Sequence, residues 1–414
     1  MNEWTKTTWG DLATLEYGKS LRNYRDNDGE VPVYGTNGLI GSHSVPLCNH
    51  SGIIVGRKGA YRGIHYSSKP FFVIDTAFYL EPKIEFDMKW AYYELITQDI
   101  NSMDSGSAIP STSREAFYRL PVILPSLPEQ HAIAHILGTL DDKIECNRRM
   151  NETLEAMAQA IFKSWFVDFD PVRAKAEGRQ PAGMDDETAA LFPNEFEVVD
   201  GREVPKGWRY LSVESICESI ENGGTPKRME RDYWENGVIP WLKTGELIDG
   251  PIIDSEEKIT VSGLTNSSCK LWKPKTILMA LYASPTVGRL GILEIPATAN
   301  QACSALMARN DFGYLFLYYN LFFSREQFQN ISVGAAQQNI NQKIVKSHLI
   351  LIPQPKIAQS FQKYVEFLYN QKLSNIQQSR TLAALRDTLL PKLISGEIRV
   401  PEAMIAESEP ATAD

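Results

Sequence analysis

A chain of 414 residues is too long for one hydrophobic core and suits two or three domains. Its 43% hydrophobic content is ordinary for a globular protein, and no apolar run approaches the roughly 18 residues of a membrane span, so no membrane partner is expected. The net charge of −9 argues against a nucleic-acid binder that is basic throughout. The acidity is local, however: residues 128–205 hold 16 acidic and 8 basic side chains, against 14 and 12 in residues 1–127 and 14 and 15 in residues 206–355.

The first residues, Met1-Asn2-Glu3-Trp4-Thr5-Lys6, have no apolar signal core. The five cysteines are odd in number, scattered and without a CxxC pair, so free thiols in a reducing cytoplasm are expected and a zinc site is not. Residues 1–127 read as a domain of short strands and turns. Gly35-Thr36-Asn37-Gly38, Gly56-Arg57-Lys58-Gly59 and Arg62-Gly63 punctuate it, with strands predicted over 52–55 and 71–74 and a helix over 89–96. Residues 128–167 form a long helix, because Ile133, Leu137, Leu140, Ile144, Asn147, Asn151, Leu154, Ala158, Ile161 and Trp165 keep an unbroken spacing of four and three. Residues 168–205 are rich in Pro, Gly and acidic side chains and read as a linker with one short helix near 185–191. Residues 206–355 repeat the character of the first domain, with turns over 221–226 and 284–289 and a helix over 314–323. Residues 356–396 form the second long helix, with the seam Phe361, Val365, Leu368, Lys372, Asn375, Ser379, Leu382, Arg386, Leu389 and Leu393. The tail, 397–414, is rich in Glu, Ala and Pro, and disorder is expected there.

The two halves are related. Residues 106–165 map onto 334–393 at a constant offset of 228 with no gap. Each copy starts with a small-residue turn, Gly106-Ser107-Ala108 or Gly334-Ala335-Ala336. It continues with an apolar strand ending in proline, Val122-Ile123-Leu124-Pro125 or Ile350-Leu351-Ile352-Pro353, and closes with the helical seam. Both seams have a polar centre, Asn147/Asn151 and Asn375/Ser379, between apolar ends, so pairing in either direction brings centre to centre; connectivity favours antiparallel. The expected fold is α+β: two mixed α/β globules separated by two long helices packed as an antiparallel coiled coil, with a pseudo-twofold repeat. At 1.5 Å per residue the helices would form a rod of roughly 50 Å with a globule at each end. Sites repeated along a line suit a long ligand.

Signatures of catalysis are missing. Gly18-Lys19-Ser20 ends like a P-loop, but Ala13 stands where the first glycine is required. His131 and His135 lack a third ligand, and Glu256-Glu257-Lys258 lacks the rest of a nuclease site. The chain reads as a binder without an active site of its own.

The run Leu124-Pro125-Ser126-Leu127-Pro128-Glu129-Gln130, then Leu140-Asp141-Asp142-Lys143-Ile144, Asn147-Arg148-Arg149 and Trp165-Phe166, resembles the central region of type I restriction–modification specificity subunits. Val204-Pro205-Lys206-Gly207-Trp208 and Leu389-Leu390-Pro391-Lys392-Leu393 are similar to other parts of the same family. The resemblance implies two target recognition domains, each reading half of a bipartite double-stranded DNA site. It also implies that the helices dock two methylation subunits, which carry S-adenosylmethionine and modify adenine N6, and that a separate translocating restriction subunit adds cleavage. The chain itself would bind no cofactor and no metal. Base readout needs bidentate donors or amides, and phosphate anchoring needs Lys, Arg and turn N–H groups. On that basis the DNA-contact candidates in the first domain are Tyr34, Thr36, Asn37, Arg57, Lys58, Tyr61, Arg62, Ser111 and Thr112. Those in the second are Thr225, Lys227, Arg228, Lys243, Thr244, Tyr282, Ser284, Arg289, Gln337, Gln338 and Asn339. Two rival readings are a self-dimerising interaction protein and a stand-alone DNA enzyme.

Overall fold

The computed structural model of the chain describes residues 4–26, 29–103, 110–282, 286–333 and 339–407. The small-residue turns at 106–108 and 334–336 lie outside them. Contacts divide the chain into two units, Met1–Arg148 with Ile376–Asp414, and Arg149–Asn375.

The first unit contains strands β1 (Thr5–Thr8), β2 (Ala13–Tyr17), β3 (Val31–Gly35), β4 (Gly38–His43), β5 (Gly52–Gly56), β6 (Ile64–Ser67), β7 (Phe72–Val73), β8 (Ala77–Pro82) and β9 (Pro121–Leu124). Its short helices are α1 (Trp9–Leu12), α2 (Met88–Ile96) and α3 (Arg114–Tyr118). An antiparallel sheet has the order β2-β8-β5-β6. All five residues of β5 are buried, which is what its unbroken apolar run requires of a strand covered on both faces. A second sheet, β4-β3-β7, centres on β3, which runs antiparallel to β4 and parallel to β7. β1 and β9, the first and last strands, pair antiparallel and close the globule. The core gathers Trp9, Phe78, Trp90 and Phe117. The start of α2 is fixed by Asp87, whose carboxylate accepts from Trp90 N at 2.7 Å.

The second unit contains β10 (Phe196–Val199), β11 (Arg202–Pro205), β12 (Arg209–Ser212), β13 (Cys217–Asn222), β14 (Ile239–Leu242), β15 (Gly250–Ile252), β16 (Glu257–Ile259), β17 (Ile277–Ala280), β18 (Leu290–Leu293), β19 (Thr298–Ala299), β20 (Cys303–Ala308) and β21 (Leu349–Ile352). Its order β13-β20-β17-β18 repeats β2-β8-β5-β6, with β15 added in parallel at the edge. The sheet β16-β14-β19 repeats β4-β3-β7, including the antiparallel and parallel neighbours of its central strand. β12 and β21 pair as β1 and β9 do. The duplication legible over sixty residues therefore extends through the whole topology of each globule.

The long helices, α4 (Leu127–Phe166) and α11 (Pro355–Ser395), pack together antiparallel. In the first unit Asp141 meets Arg386 at 2.7 Å, and Asn147 Nδ2 donates to Gln378 Oε1 at 2.8 Å and Ser379 Oγ at 3.2 Å. In the second, Asn375 Nδ2 donates to Asn151 Oδ1 at 2.9 Å and Lys372 meets Glu155 at 2.8 Å. In each unit, rising numbers on α4 meet falling numbers on α11. The seam positions are all buried or half-buried. Each helix is divided between the units rather than forming a domain of its own. The reason is that the apolar ends of the seam also enter the globules: Ile133 and Leu137 join the first core with the off-seam Ala132 and Ala134, and Trp165, Phe361 and Val365 join the second with the off-seam Phe162.

Two expectations are corrected. Residues 168–205 are no open linker: they hold α5 (Asp170–Ala176), α6 (Asp186–Leu191) and the β10–β11 hairpin, and Val172 and Phe192 are buried in the second core. Within the tail expected to be disordered, residues 397–407 are ordered. Arg399 Nε lies 2.8 Å from the buried Glu129 carboxylate, Val400 enters the first core, and α12 (Glu402–Glu407) follows; α7 (Val261–Thr265), α8 (Tyr314–Phe323), α9 (Arg325–Val333) and α10 (Gln342–Ser347) complete the α-helices of the described residues. No helix among them is long and apolar enough to cross a membrane.

Candidate nucleic-acid interface

In the first unit the end of β2, the β5–β6 connection, the β7–β8 turn and residues 110–112 converge through backbone hydrogen bonds. Gly18 N donates to Ala77 O at 3.1 Å, Lys19 N to Val73 O at 2.9 Å, Arg57 N to Thr76 O at 3.0 Å, and Thr112 N to Arg57 O at 2.9 Å. A Cβ on Gly18 would lie 2.1 Å from Ile74 O, so only glycine allows this approach. The turn presents Tyr17, 47% exposed, between two guanidinium groups: Arg57 Cζ is 4.8 Å and Arg114 Cζ 5.2 Å from its ring centroid. Arg57 Nη1 donates to Asp75 O at 2.9 Å, and Arg114 Nη2 to Tyr118 Oη at 3.0 Å. Lys58, Asn37 and Tyr61 are exposed at the same loops.

Other candidates of the first domain hold the loops up instead. Arg62 is 3% exposed, and its Nη2 donates to the carbonyls of Asn101 at 2.7 Å and Met103 at 3.1 Å. Thr112 is buried, its hydroxyl donating to Gly56 O at 2.7 Å. Both are corrected from contact to support, because side chains so enclosed cannot reach a ligand. The Thr36 hydroxyl faces Thr76 O at 2.6 Å and Lys58 O at 2.9 Å, Tyr34 is half-buried edge-on to Phe71, and Ser111 is half-buried in a backbone bridge to Lys58.

The second unit builds the same frame. Gly223 N donates to Cys303 O at 3.0 Å, Gly224 N to Ala299 O at 2.9 Å, Leu281 N to Ala302 O at 2.8 Å and Ile340 N to Leu281 O at 3.0 Å. A Cβ on Gly223 would again meet a carbonyl, Asn300 O, at 2.1 Å. The side chains on the frame differ in kind. Arg228 Cζ stands 3.8 Å from the Trp234 ring centroid and 4.6 Å from that of Trp241. Both ring N–H groups are committed, Trp234 to Lys227 O at 3.1 Å and Trp241 to Gly224 O at 2.9 Å. Glu257 takes both Arg228 terminal nitrogens and also Lys243 Nζ at 3.1 Å, while Glu256 takes Lys243 Nζ at 2.8 Å. Arg228 first, then Lys243, hold the Glu257 carboxyl below the usual range, and Glu256 followed by Glu257 raises the Lys243 ammonium. The Thr225 hydroxyl donates to Gln301 Oε1. Lys227 and Tyr282 are exposed; Thr244, Arg289 and Asn339 are half-buried. Ser284, Gln337 and Gln338 lie outside the described residues.

Sequence reasoning missed Tyr17, Arg114 and Gln301. Tyr17 precedes the Gly18-Lys19-Ser20 turn, whose sequence resembles only the end of a P-loop, and nothing in the sequence singles out Gln301. His131 lies 3.8 Å from Asp87, and among the described residues no cluster of His, Cys, Asp and Glu could hold a metal ion.

Comparison with known proteins places this frame. Residues 1–156 and 205–378 match the type I restriction modification DNA specificity domain. The chain is 30% identical over 349 residues to the HindI specificity subunit of Haemophilus influenzae, covering 74% of each. It is 27% identical over 328 residues to the MjaIX specificity subunit of Methanocaldococcus jannaschii, covering 78% of this chain and 71% of that one. Its fold is similar to the crystal structure of the type I restriction–modification S subunit of Mycoplasma genitalium, with a TM-score of 0.64 at 19% identity over 94% of this chain and 96% of the other. With two thirds of its length and more inside that domain match, the chain belongs to the type I restriction–modification DNA specificity family.

Proposed function

We propose that this chain is the sequence-reading subunit of a type I restriction–modification complex, and that it has no catalytic centre of its own. Each globule reads one half of a bipartite site in double-stranded DNA. The paired helices dock two methylation subunits, which carry S-adenosylmethionine and modify adenine N6, and a translocating restriction subunit joins where the system has one.

The observation that carries this reading is the repeated frame. Two globules of the same topology present the same glycine turn and the same converging loops, yet different side chains, as expected of one scaffold reading two different half-sites. The docking role is supported by large apolar side chains left exposed on the helices, Met150 and Met157 on α4 and Phe367 and Leu385 on α11, of which Phe367 is 72% exposed. Co-expression with the neighbouring methylation subunit, followed by methylome sequencing, tests the reading. A bipartite adenine-methylated motif is expected, and a continuous motif or none would count against it. At residue level, if Arg57 reads guanine, its loss costs about 1–3 kcal/mol and relaxes one base position. If Lys58 holds phosphate, its loss weakens all sequences alike and flattens the salt dependence. Titration of both variants on cognate and scrambled duplexes separates the roles, and no effect on either DNA removes both.

A further inference from the structure

The repeat that relates the two halves also shows where they part. Met157 on α4 and Leu385 on α11 stand at corresponding positions and are almost equally exposed, at 47% and 46%. Each unit therefore offers one exposed apolar side chain of the same origin, as two like docking sites require. Phe367 on α11 has no such counterpart. The position 228 residues earlier holds Thr139, which is also exposed and turns its hydroxyl to His135 O at 2.8 Å. The corresponding helix thus carries a polar residue there, so folding does not call for an aromatic ring.

A lone exposed ring carries little weight, but Phe367 borders a cleft of about 500 Å³ between α6 and α11. Asp185, Glu187 and Leu191 line it from one side, and Lys363 and Tyr364 join Phe367 on the other. The two walls are tied together. Tyr364 Oη donates to Asp185 Oδ2 at 2.8 Å and accepts from Asp185 N at 3.2 Å, and the Tyr364 ring lies edge-on to Trp165, with 5.6 Å between centroids. The Asp185 carboxylate also accepts from Thr188 N at 2.7 Å; that bond first, then the one from Tyr364, holds its carboxyl below the usual range. A cleft whose walls are joined in the free chain loses little freedom when it is filled. Its lip carries three consecutive exposed carboxylates, Asp185, Asp186 and Glu187, against one ammonium, Lys363. The segment they belong to, residues 168–205, has 10 acidic and 4 basic side chains. An apolar floor under an acidic lip fits an aliphatic or aromatic side chain flanked by Lys or Arg.

We propose that this cleft seats an apolar side chain from a basic segment of a methylation subunit, and that it does so at one of the two docking sites only. The inference rests on the docking role proposed above and adds that the two methylation subunits are held unequally, the one seated on the second unit gaining the cleft and the other lacking it. Isothermal titration of the methylation subunit into the full chain measures both stepwise constants. The parent binds in two steps separated by roughly thirtyfold or more. Phe367→Thr, which installs the residue type that the repeat carries at Thr139, weakens the tighter step about thirtyfold and leaves the weaker step within about twofold. Glu187→Lys weakens the same tighter step about tenfold at low salt, an effect gone by about 0.5 M KCl, and Lys363→Glu strengthens it. All three positions are exposed, and thermal melting of each variant alone checks that its fold is kept. Equal weakening of both steps by Phe367→Thr, no weakening of either, or tighter binding by Glu187→Lys would overturn the inference. So would a loss of self-association by Phe367→Thr in the chain alone, which would assign the cleft to a second copy. A parent chain that binds no methylation subunit would overturn the docking role itself.

Discussion

Glu94 makes the first unit sensitive to pH in a way that can be worked through. Its side chain is buried on α2, accepting from Trp9 Nε1 and from Gln98 Nε2, each at 2.7 Å, with no cation beside it. Burial pushes its carboxyl up from 4.5 to about 7, against the opposing pull of the two hydrogen bonds. A carboxyl raised on folding is protonated in the native state while the unfolded chain has released its proton. Stability is therefore full below pH 4.5, falls as pH rises toward 7, and is flat above. At about 1.4 kcal/mol per unit, the loss approaches about 3 kcal/mol by pH 8. Glu94→Gln removes the charge. After Gln98 turns its amide over, both hydrogen bonds survive, with Trp9 donating to the new carbonyl. The repeat supports the exchange: Tyr92-Tyr93-Glu94-Leu95 on α2 matches Tyr318-Tyr319-Asn320-Leu321 on α8, where a neutral amide stands in place of the carboxyl and is also buried. Native-state hydrogen exchange of the β5 amides, corrected for intrinsic rates, reads the opening free energy of this unit alone. The variant should match the parent at pH 4 and exceed it by about 1–3 kcal/mol at pH 8. A variant less stable than the parent at pH 8, or one that keeps the parent's loss between pH 5 and 8, would refute the reasoning.

Two further perturbations bear on the helices. Lys372→Met leaves Glu155 largely enclosed without a cation, with only the neutral donors Gln159 Nε2 at 3.0 Å and Tyr319 Oη at 3.3 Å among the described residues; it should destabilise the second unit by about 3 kcal/mol, and adding Glu155→Gln should recover most of that in a double-mutant cycle. Deleting residues 397–414 removes Arg399 and Val400 and strands Glu129, 5% exposed, with the Trp4 N–H at 2.7 Å as its remaining partner; hydrogen exchange in the first unit should report a loss of about 3 kcal/mol or more.

Local pattern made the helices legible. The four-and-three spacing of Ile133 through Trp165 needs only neighbours in sequence, and so do the apolar strand over 52–55 and the helix over 314–323. What escaped was whatever a distant residue decides. Arg62 follows a glycine-rich loop and looks solvent-bound, yet Asn101 and Met103 enclose it from another element. The neutralisation of Arg228 comes from Glu257, across two strands, where no spacing rule reaches. The tail is a different case: Ile398-Arg399-Val400 carried an apolar signal, outweighed by the Glu, Ala and Pro that follow it. Residues 168–205 failed for a similar reason, since composition averaged out Val172 and Phe192, the two side chains that anchor the segment.

The pairing of β1 with β9 and of β12 with β21 has a consequence for how such chains can change. Thr5 lies opposite Leu124, and Arg209 opposite Ile352, so each globule begins and ends on adjacent strands roughly 4.8 Å apart. Everything between is a closed excursion from that two-strand gate. The second excursion is longer than the first and carries the extra strand β15, yet it returns to the same antiparallel register. A globule can therefore be lengthened between the two strands of the gate without moving the points at which the chain enters and leaves it. The gate gives each globule one fixed point of attachment.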